Sequence, residues 1–408
     1  MSIVSSNRWP RWEAAAKLQG ARRAWHSPNT MPSARLGMRR ADLCQLYLPS
    51  RATRKNCDSS TERLFCCAAS STALGVLKPL AAAVGLYAIV GGAVYFAQRK
   101  LQYFPFTDTP AHPAAVDPLW DDVKEVAIVA ADGTRCLAWH WPAPAPGSEP
   151  YAPWWLGKGS TAVQRTMATL RQESPELQNL DVLLFHGNAG HRGHRLEWMH
   201  LVREGLGCSV TIIDYRGYGG SEGSPDEDGL ISDGRAAAAW LARRQAESAA
   251  LGNAPRRTVL WGESIGSGVA VAVAAEKANG SLEVPAAMVI EGGFSSCVAM
   301  GTAAYPWLPV RLLMHDKFLN SDRAAGLQAD LPVLMLHGSQ DDIVPIALAR
   351  ELWEALPPAG RCFVEIEGAG HNDLPFHDSS AWLTTVAGFL ARVVVRDEVE
   401  TLNASDQM

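Results

Sequence analysis

A serine flanked by glycines lies where a strand pattern changes into a helix pattern. The segment Gly262-Glu263-Ser264-Ile265-Gly266 follows the apolar run 258–261 and precedes the small-residue run 267–275. Glycines on both sides of the serine allow a sharp turn that lifts the hydroxyl above the end of the strand, a nucleophile elbow. We therefore predict that Ser264 is a nucleophile, which also requires a base, an orienting carboxylate and donors for an oxyanion.

Two later loops supply candidates for the carboxylate and the base. The apolar run 332–336 precedes Asp341 and Asp342, at the strand end where α/β sheets place their ligands. We predict that Asp341 orients the base and that Asp342 caps the following helix, whereas His337 is structural. The strand pattern 362–366 leads into a glycine-rich loop with His371, a residue type suited to proton transfer near neutral pH. We predict His371 as the general base.

The oxyanion that forms during acyl transfer needs backbone N–H donors. One donor directly follows the nucleophile, here Ile265, and another lies in the loop after an earlier strand. The strand pattern 182–185 ends in His186-Gly187-Asn188-Ala189-Gly190, so we predict Asn188 as the second donor. An ordinary glycine-rich turn is the alternative interpretation of this loop.

From about residue 101 to 395 the chain resembles an α/β-hydrolase-fold serine hydrolase, specifically the small, lidless, membrane-anchored subgroup that includes protein depalmitoylases. Serine-aminopeptidase-like members share much of the pattern. The resemblance implies a mostly parallel central sheet flanked by helices, a Ser-His-Asp triad and acyl-transfer chemistry, but not the acyl donor, and this chemistry requires no cofactor. It rests on the motifs His186-Gly187-Asn188-Ala189-Gly190, Asp214-Tyr215-Arg216-Gly217-Tyr218-Gly219-Gly220-Ser221, Gly262-Glu263-Ser264-Ile265-Gly266, His337-Gly338 with Asp341, Gly370-His371-Asn372-Asp373, and the run 98–105.

An uncharged segment, 79–96, predicts one transmembrane helix ahead of the hydrolase domain. At about 1.5 Å per residue these eighteen residues nearly span the apolar thickness of a bilayer. A buried helix of the hydrolase is the alternative. Lysine and arginine flank both ends, so the positive-inside rule does not decide the orientation of the helix. The sequence does not identify the membrane either, and endomembrane, plastid and mitochondrial locations stay open.

The leader is basic, with twelve Lys and Arg against four acidic residues within 1–72. We interpret it as a disordered cytosolic segment or a transit peptide, not as a nucleic-acid-binding arm, because it has no aromatic stacking pattern. The predicted organisation is a leader at 1–72, a transmembrane helix at 73–100, the hydrolase domain at 101–396 and a disordered tail at 397–408. Within the domain, 142–179 is expected to be an inserted surface loop and 294–331 a short cap-like insertion.

Other polar features suggest no further chemistry. The eight cysteines show neither zinc spacing nor a disulfide framework, although Cys66-Cys67 is a candidate acylation site. We interpret the histidines at 191, 194 and 200 as a solvated loop rather than a metal site. Asp214 and Arg216 are candidates for a structural ion pair.

The sequence therefore predicts a membrane-anchored serine hydrolase that cleaves ester or thioester bonds of lipids or S-acylated proteins. Two alternatives remain. A serine aminopeptidase would need an acidic pocket, for which Glu263 and Glu291 are candidates, and a non-catalytic membrane scaffold on the same fold would need no working triad.

Overall fold

The computed structural model describes residues 60–151, 160–276 and 284–405, with side chains described for those between 78 and 394. The chain divides into two units, Met1–Leu74 and Gly75–Met408. All eight strands found among the described residues belong to the second unit. Most of the basic leader and the pair Trp154-Trp155 lie outside the described residues, as do the side chains of Cys66 and Cys67.

The eight strands form a single sheet. They are β1 (Lys124–Val129), β2 (Arg135–Trp141), β3 (Leu180–Phe185), β4 (Ser209–Ile213), β5 (Arg257–Glu263), β6 (Ala287–Glu291), β7 (Val333–Gly338) and β8 (Cys362–Ile366). Their order is β1-β2-β4-β3-β5-β6-β7-β8. β2 pairs antiparallel with both β1 and β4, and every other neighbouring pair is parallel. The predicted mostly parallel sheet is confirmed.

Helices cover both faces of the sheet, which explains why its central strands are apolar throughout. The helices are α1 (Ser60–Gln102), α2 (Ser160–Glu173), α3 (Leu196–Leu206), α4 (Glu227–Ala250), α5 (Ile265–Ala275), α6 (Cys297–Ala304), α7 (Val310–Leu313), α8 (Asn320–Ala324), α9 (Ile346–Ala355), α10 (Leu374–His377) and α11 (Ser379–Ser405). One core layer contains α2, α3 and α11, and the other contains α4, α5 and α9. Consecutive β3 residues alternate between the layers, Val182 facing the first and Leu183 the second.

Helix α1 is longer than the predicted membrane segment, since it begins at Ser60 rather than near residue 73. Its part Lys78–Gln102 is long and apolar enough to cross a membrane, and none of its most apolar window is buried in the protein. A core helix of the hydrolase would be mostly buried, so the alternative interpretation of this segment as a core helix is not supported.

Two segments differ from their sequence-based descriptions, and a third, expected to be a short cap-like insertion, is helical. The expected surface loop 142–179 contains helix α2, whose Val163, Met167 and Leu170 are buried because their spacing places them on one helix face. The insertion 294–331 forms the short helices α6, α7 and α8. The final helix, α11, continues to Ser405, into the tail for which disorder was expected.

Candidate active site

Ser264 occupies a sharp turn between β5 and α5. Its backbone has φ 52° and ψ −118°, a region that residues other than glycine rarely adopt. A Cβ atom at Gly262 would lie 2.5 Å from Ser267 Cα, and one at Gly266 would lie 2.0 Å from the Phe185 carbonyl oxygen. Both glycines are therefore required for α5 to approach the sheet this closely, as the elbow motif predicts.

His371 and Asp341 are joined directly. His371 Nδ1 lies 2.7 Å from Asp341 Oδ2, and the backbone N–H groups of Ile343 and Val344 donate to Asp341 Oδ1 at 3.0 and 2.7 Å. Burial raises the pKa of the Asp341 carboxyl, but the hydrogen bond and charge of His371 outweigh that effect, so the pKa lies below its ordinary value. The carboxylate is therefore charged and fixed in orientation.

The neighbouring carboxylate does not share this role. Asp342 is exposed, and the residue that caps helix α9 is Pro345, so the expected N-cap function of Asp342 is not observed. His337 is fully buried, donates from Nε2 to the Val344 carbonyl at 3.1 Å and lies 3.6 Å from Asp341 Oδ2. Burial lowers its pKa, which favours a neutral ring that supports the aspartate loop.

The end of β6 brings the serine turn and the histidine together. Ser264 N–H donates to the Glu291 carbonyl at 2.8 Å. The next residue, Gly292, has φ +56°, and a Cβ atom there would lie 2.8 Å from His371 Cε1. The His371 ring thus packs on Gly292, one residue from the carbonyl that holds Ser264. Hydrogen bonds between a nucleophile and its base are often long in an unliganded site and tighten when substrate binds.

Glu263 is paired, which sequence reasoning missed. Arg195 binds the Glu263 carboxylate through two nitrogens, at 2.5 and 2.7 Å, and Gly187 N–H donates to it at 3.2 Å. Burial alone would raise the pKa of Glu263, but the guanidinium outweighs it and keeps the pKa below its ordinary value. The pair ties the serine turn to the loop 186–190. A buried charge needs a partner of opposite charge. The signal in the sequence was the position of Arg192 and Arg195, the cations nearest to the loop 186–190.

Glu291 is also unavailable as an open acidic pocket. It is 3% exposed, and its carboxyl accepts from the indole N–H groups of Trp382 at 2.7 Å and Trp198 at 3.3 Å. Burial, together with the charge of Glu263, raises its pKa to about 7 despite those hydrogen bonds. Neither glutamate therefore supplies the free carboxylate that recognition of a substrate amino terminus would need.

The side chain of Asn188 is fixed on three sides. Its Oδ1 accepts from Phe104 N–H at 3.1 Å and from the Tyr218 hydroxyl at 2.9 Å, and its Nδ2 donates to the Gln102 carbonyl at 2.6 Å. The loop that carries it is thus anchored to the chain just after α1. Ile265 is the first residue of α5, where backbone N–H groups have no partner within the helix.

The expected ion pair between Asp214 and Arg216 is not observed. Asp214 is buried against Arg192, whereas Arg216 binds Asp233 and Asp132. Because each charge has its own partners, both stabilise the turn after β4 rather than form a site of their own.

The three histidines near the loop 186–190 are not a solvated cluster. His191 and His200 are buried, and the His191 and His194 rings stack with centroids 4.1 Å apart. Within the described ranges, no group of three or more His, Cys, Asp or Glu side chains could hold a metal ion.

Known proteins resemble the chain in sequence. A family model described as the alpha/beta hydrolase fold matches residues 182–326. The chain is 34% identical over 320 residues to Uncharacterized protein Rv2307c of Mycobacterium tuberculosis, covering 78% of this chain and 96% of that protein. It is 30% identical to lysophosphatidylserine lipase ABHD12 of Danio rerio, over 42% of this chain and 46% of the lipase. It is also 30% identical to an uncharacterized membrane protein of Saccharomyces cerevisiae, YNL320W, over 48% of this chain and 66% of that protein.

The sheet order, the elbow at the end of β5 and these similarities agree with one another. The chain belongs to the α/β hydrolase fold family.

Proposed function

We propose that this protein is a membrane-anchored serine hydrolase that cleaves acyl esters of lipids through an acyl-enzyme intermediate. The observation that carries the proposal is the Asp341–His371 hydrogen bond, 2.7 Å long, with the His371 ring packed on Gly292, next to the residue whose carbonyl accepts from Ser264 N–H. An aspartate that fixes one imidazole nitrogen leaves the other directed at the nucleophile, as acyl transfer requires.

In the first half-reaction, Ser264 Oγ attacks the acyl carbonyl carbon while His371 Nε2 takes the hydroxyl proton. The Asp341 carboxylate stabilises the imidazolium, and the backbone N–H groups of Asn188 and Ile265 stabilise the oxyanion. When the intermediate collapses, the bond to the leaving alcohol breaks and His371 returns the proton to that alcohol. A water molecule then attacks the acyl-enzyme by the same route, which releases the fatty acid and restores Ser264.

Two observations favour lipid esters over other acyl donors. Helix α1 is apolar, exposed and long enough to enter a bilayer, which would place the enzyme among acyl chains. A relative that shares 30% identity over part of the chain is named as a lysophosphatidylserine lipase. S-acylated proteins remain the second substrate class, since the same chemistry cleaves thioesters. The engagement of Glu263 and Glu291 argues against the aminopeptidase alternative.

The direct test is labelling of the full-length protein in membranes with a fluorescent fluorophosphonate, which reacts only with an activated serine. We expect labelling of the wild type and none of Ser264→Ala. Vesicles containing a lysophospholipid, an S-palmitoyl peptide or an aminoacyl amide would then separate the substrate classes. Absence of labelling in a folded, membrane-bound protein would refute the serine mechanism and support the scaffold alternative.

A further inference from the structure

The segment Tyr305-Pro306-Trp307-Leu308-Pro309-Val310-Arg311-Leu312-Leu313-Met314, which we name the cap segment, lies along helix α1. The Tyr87 hydroxyl donates to the Trp307 carbonyl at 2.8 Å, and Gln98 Nε2 donates to the Leu313 carbonyl at 3.0 Å. Eleven residues separate Tyr87 from Gln98, a rise of about 16 Å along a helix. The cap segment therefore follows α1 over about half of the apolar thickness of a bilayer, which is about 30 Å.

The outer surface of the cap segment is apolar. Leu312 is 83% exposed and Trp307 is 55% exposed, and Phe96 of α1 is 88% exposed. Residues 294–314 contain a single charged side chain, that of Arg311. Exposed apolar side chains of this size are uncommon in such number on a soluble monomer and indicate contact with a protein or a membrane.

Charged residues follow the uncharged part of α1 and the cap segment at the same point, where the two segments lie against each other. Arg99 Nε donates to Asp316 Oδ2 at 3.0 Å, Lys100 follows Arg99, and Lys317 follows Asp316. On one side of this ion pair both segments are uncharged, back to residue 79 in α1 and to residue 294 in the insertion, apart from Arg311. A shared boundary between charged and apolar residues is what two segments crossing one membrane surface would show.

The hydrogen bonds to α1 also fit an apolar environment. Backbone carbonyls at membrane depth are tolerated outside a helix only where protein groups satisfy them. Tyr87 and Gln98 do so for Trp307 and Leu313, respectively. On a surface that faced water, neither carbonyl would need a partner from another element.

We propose that the cap segment is embedded among lipid acyl chains beside α1, with the membrane surface at the level of Arg99 and Asp316. This inference rests on the membrane anchoring in the proposed function but not on its catalytic assignments. Asn188 binds the carbonyl of Gln102 and the N–H of Phe104, just past that level. The loop 186–190 then lies at the aqueous side of the interface, close to the membrane surface.

The test uses the full chain with Ser264→Ala, in which native cysteines other than the buried Cys136, Cys208 and Cys297 are replaced by serine. Single cysteines at Trp307→Cys or Leu312→Cys carry an environment-sensitive nitrobenzoxadiazole dye, and the protein is reconstituted in phosphatidylcholine vesicles with or without doxyl-labelled acyl chains. Phe96→Cys serves as the reference in α1. Leu251→Cys is the matched control, because Leu251 is 82% exposed and follows helix α4.

We expect blue-shifted emission and doxyl quenching at positions 307 and 312 as strong as at 96, with neither effect at 251. Quenching at 96 but not at 307 and 312 would overturn the proposal while leaving the anchor intact. A blue shift without doxyl quenching would mean that protein covers the cap segment, and quenching at none of the sites would overturn the anchor as well. Since no readout depends on turnover, a failure here is distinct from a failure of the proposed chemistry.

Discussion

Arg195 and Glu263 form a doubly hydrogen-bonded ion pair directly beside Ser264, connecting the residue before the serine to the residues that follow β3. Their side chains are only 15% and 19% exposed. The turn that presents the serine and the loop that carries Asn188 are therefore held as one unit.

Removing the charge of Glu263 should destabilise the protein strongly. Glu263→Gln leaves the Arg195 guanidinium buried without a counter-charge, which typically costs about 3 kcal/mol. The free energy of unfolding in detergent micelles measures this effect. Arg350→Gln is the control, because Arg350 pairs with Glu365 at 3.0 Å but is 60% exposed, and we expect less than about 1 kcal/mol there. Equal effects of the two variants would show that the inner pair does not hold the site together.

Substitution of the two adjacent aspartates should affect activity very differently. Asp341→Asn removes the acceptor that fixes the His371 tautomer, and an equivalent change in a Ser-His-Asp triad lowers kcat about 10⁴-fold. Asp342→Asn alters an exposed side chain and should leave kcat within about twofold, as is usual for surface changes. Ester turnover and the fluorophosphonate labelling rate both report the difference. A comparable loss in Asp342→Asn would mean that the orienting carboxylate is misassigned.

Gly292 tests the packing of the histidine ring. Gly292→Ala places a methyl group 2.8 Å from His371 Cε1 at φ +56°, so we expect the ring to move and kcat to fall about 10²-fold. Gly133→Ala is the matched control, since it has φ +89° with no atom within 4 Å of the added Cβ. Both variants should lose about 1 kcal/mol of stability from backbone strain, but only the first should lose activity. Unchanged turnover in a folded Gly292→Ala variant would contradict the contact.

Glu291 should make stability depend on pH. Its pKa is raised to about 7 from an ordinary value of 4.5, so between these values the folded state binds a proton that the unfolded state has released. Its contribution is fully present below pH 4.5 and is lost as pH rises through about 7, by on the order of 3 kcal/mol. Glu291→Gln should remove that slope, as measured by thermal unfolding from pH 5 to pH 8. An identical slope in the variant would assign the dependence to another group.

The sequence predicted the parts of the site that depend on local pattern. Ser264 follows from the two glycines around it, and Asp341 and His371 follow from loops after apolar strands. The structure joins the last two directly, although their catalytic roles stay predictions. Parallel strands bring their carboxyl ends to one edge of the sheet, so loops far apart in sequence meet there without any pattern specific to the pair.

The sequence pattern did not identify the partners of the buried charged residues. Arg195 and Glu263 are 68 residues apart, and Glu291 lies 91 residues from Trp382. No spacing rule selects one arginine among several, because the choice depends on which loops pack together. The same limit explains the wrong pairing of Asp214 with Arg216, since neighbours in sequence were preferred over partners across the fold.

Strand β8 is the outermost strand of the sheet and is only half-buried, yet the loop that follows it carries His371. An edge strand opens at lower free energy than the central strands, so hydrogen exchange should be fastest there among the parallel strands. Local detachment of β8 would withdraw the imidazole while the elbow and the central strands remain folded. Warming should consequently abolish turnover below the temperature of cooperative unfolding, and cooling should restore turnover without refolding of the whole domain.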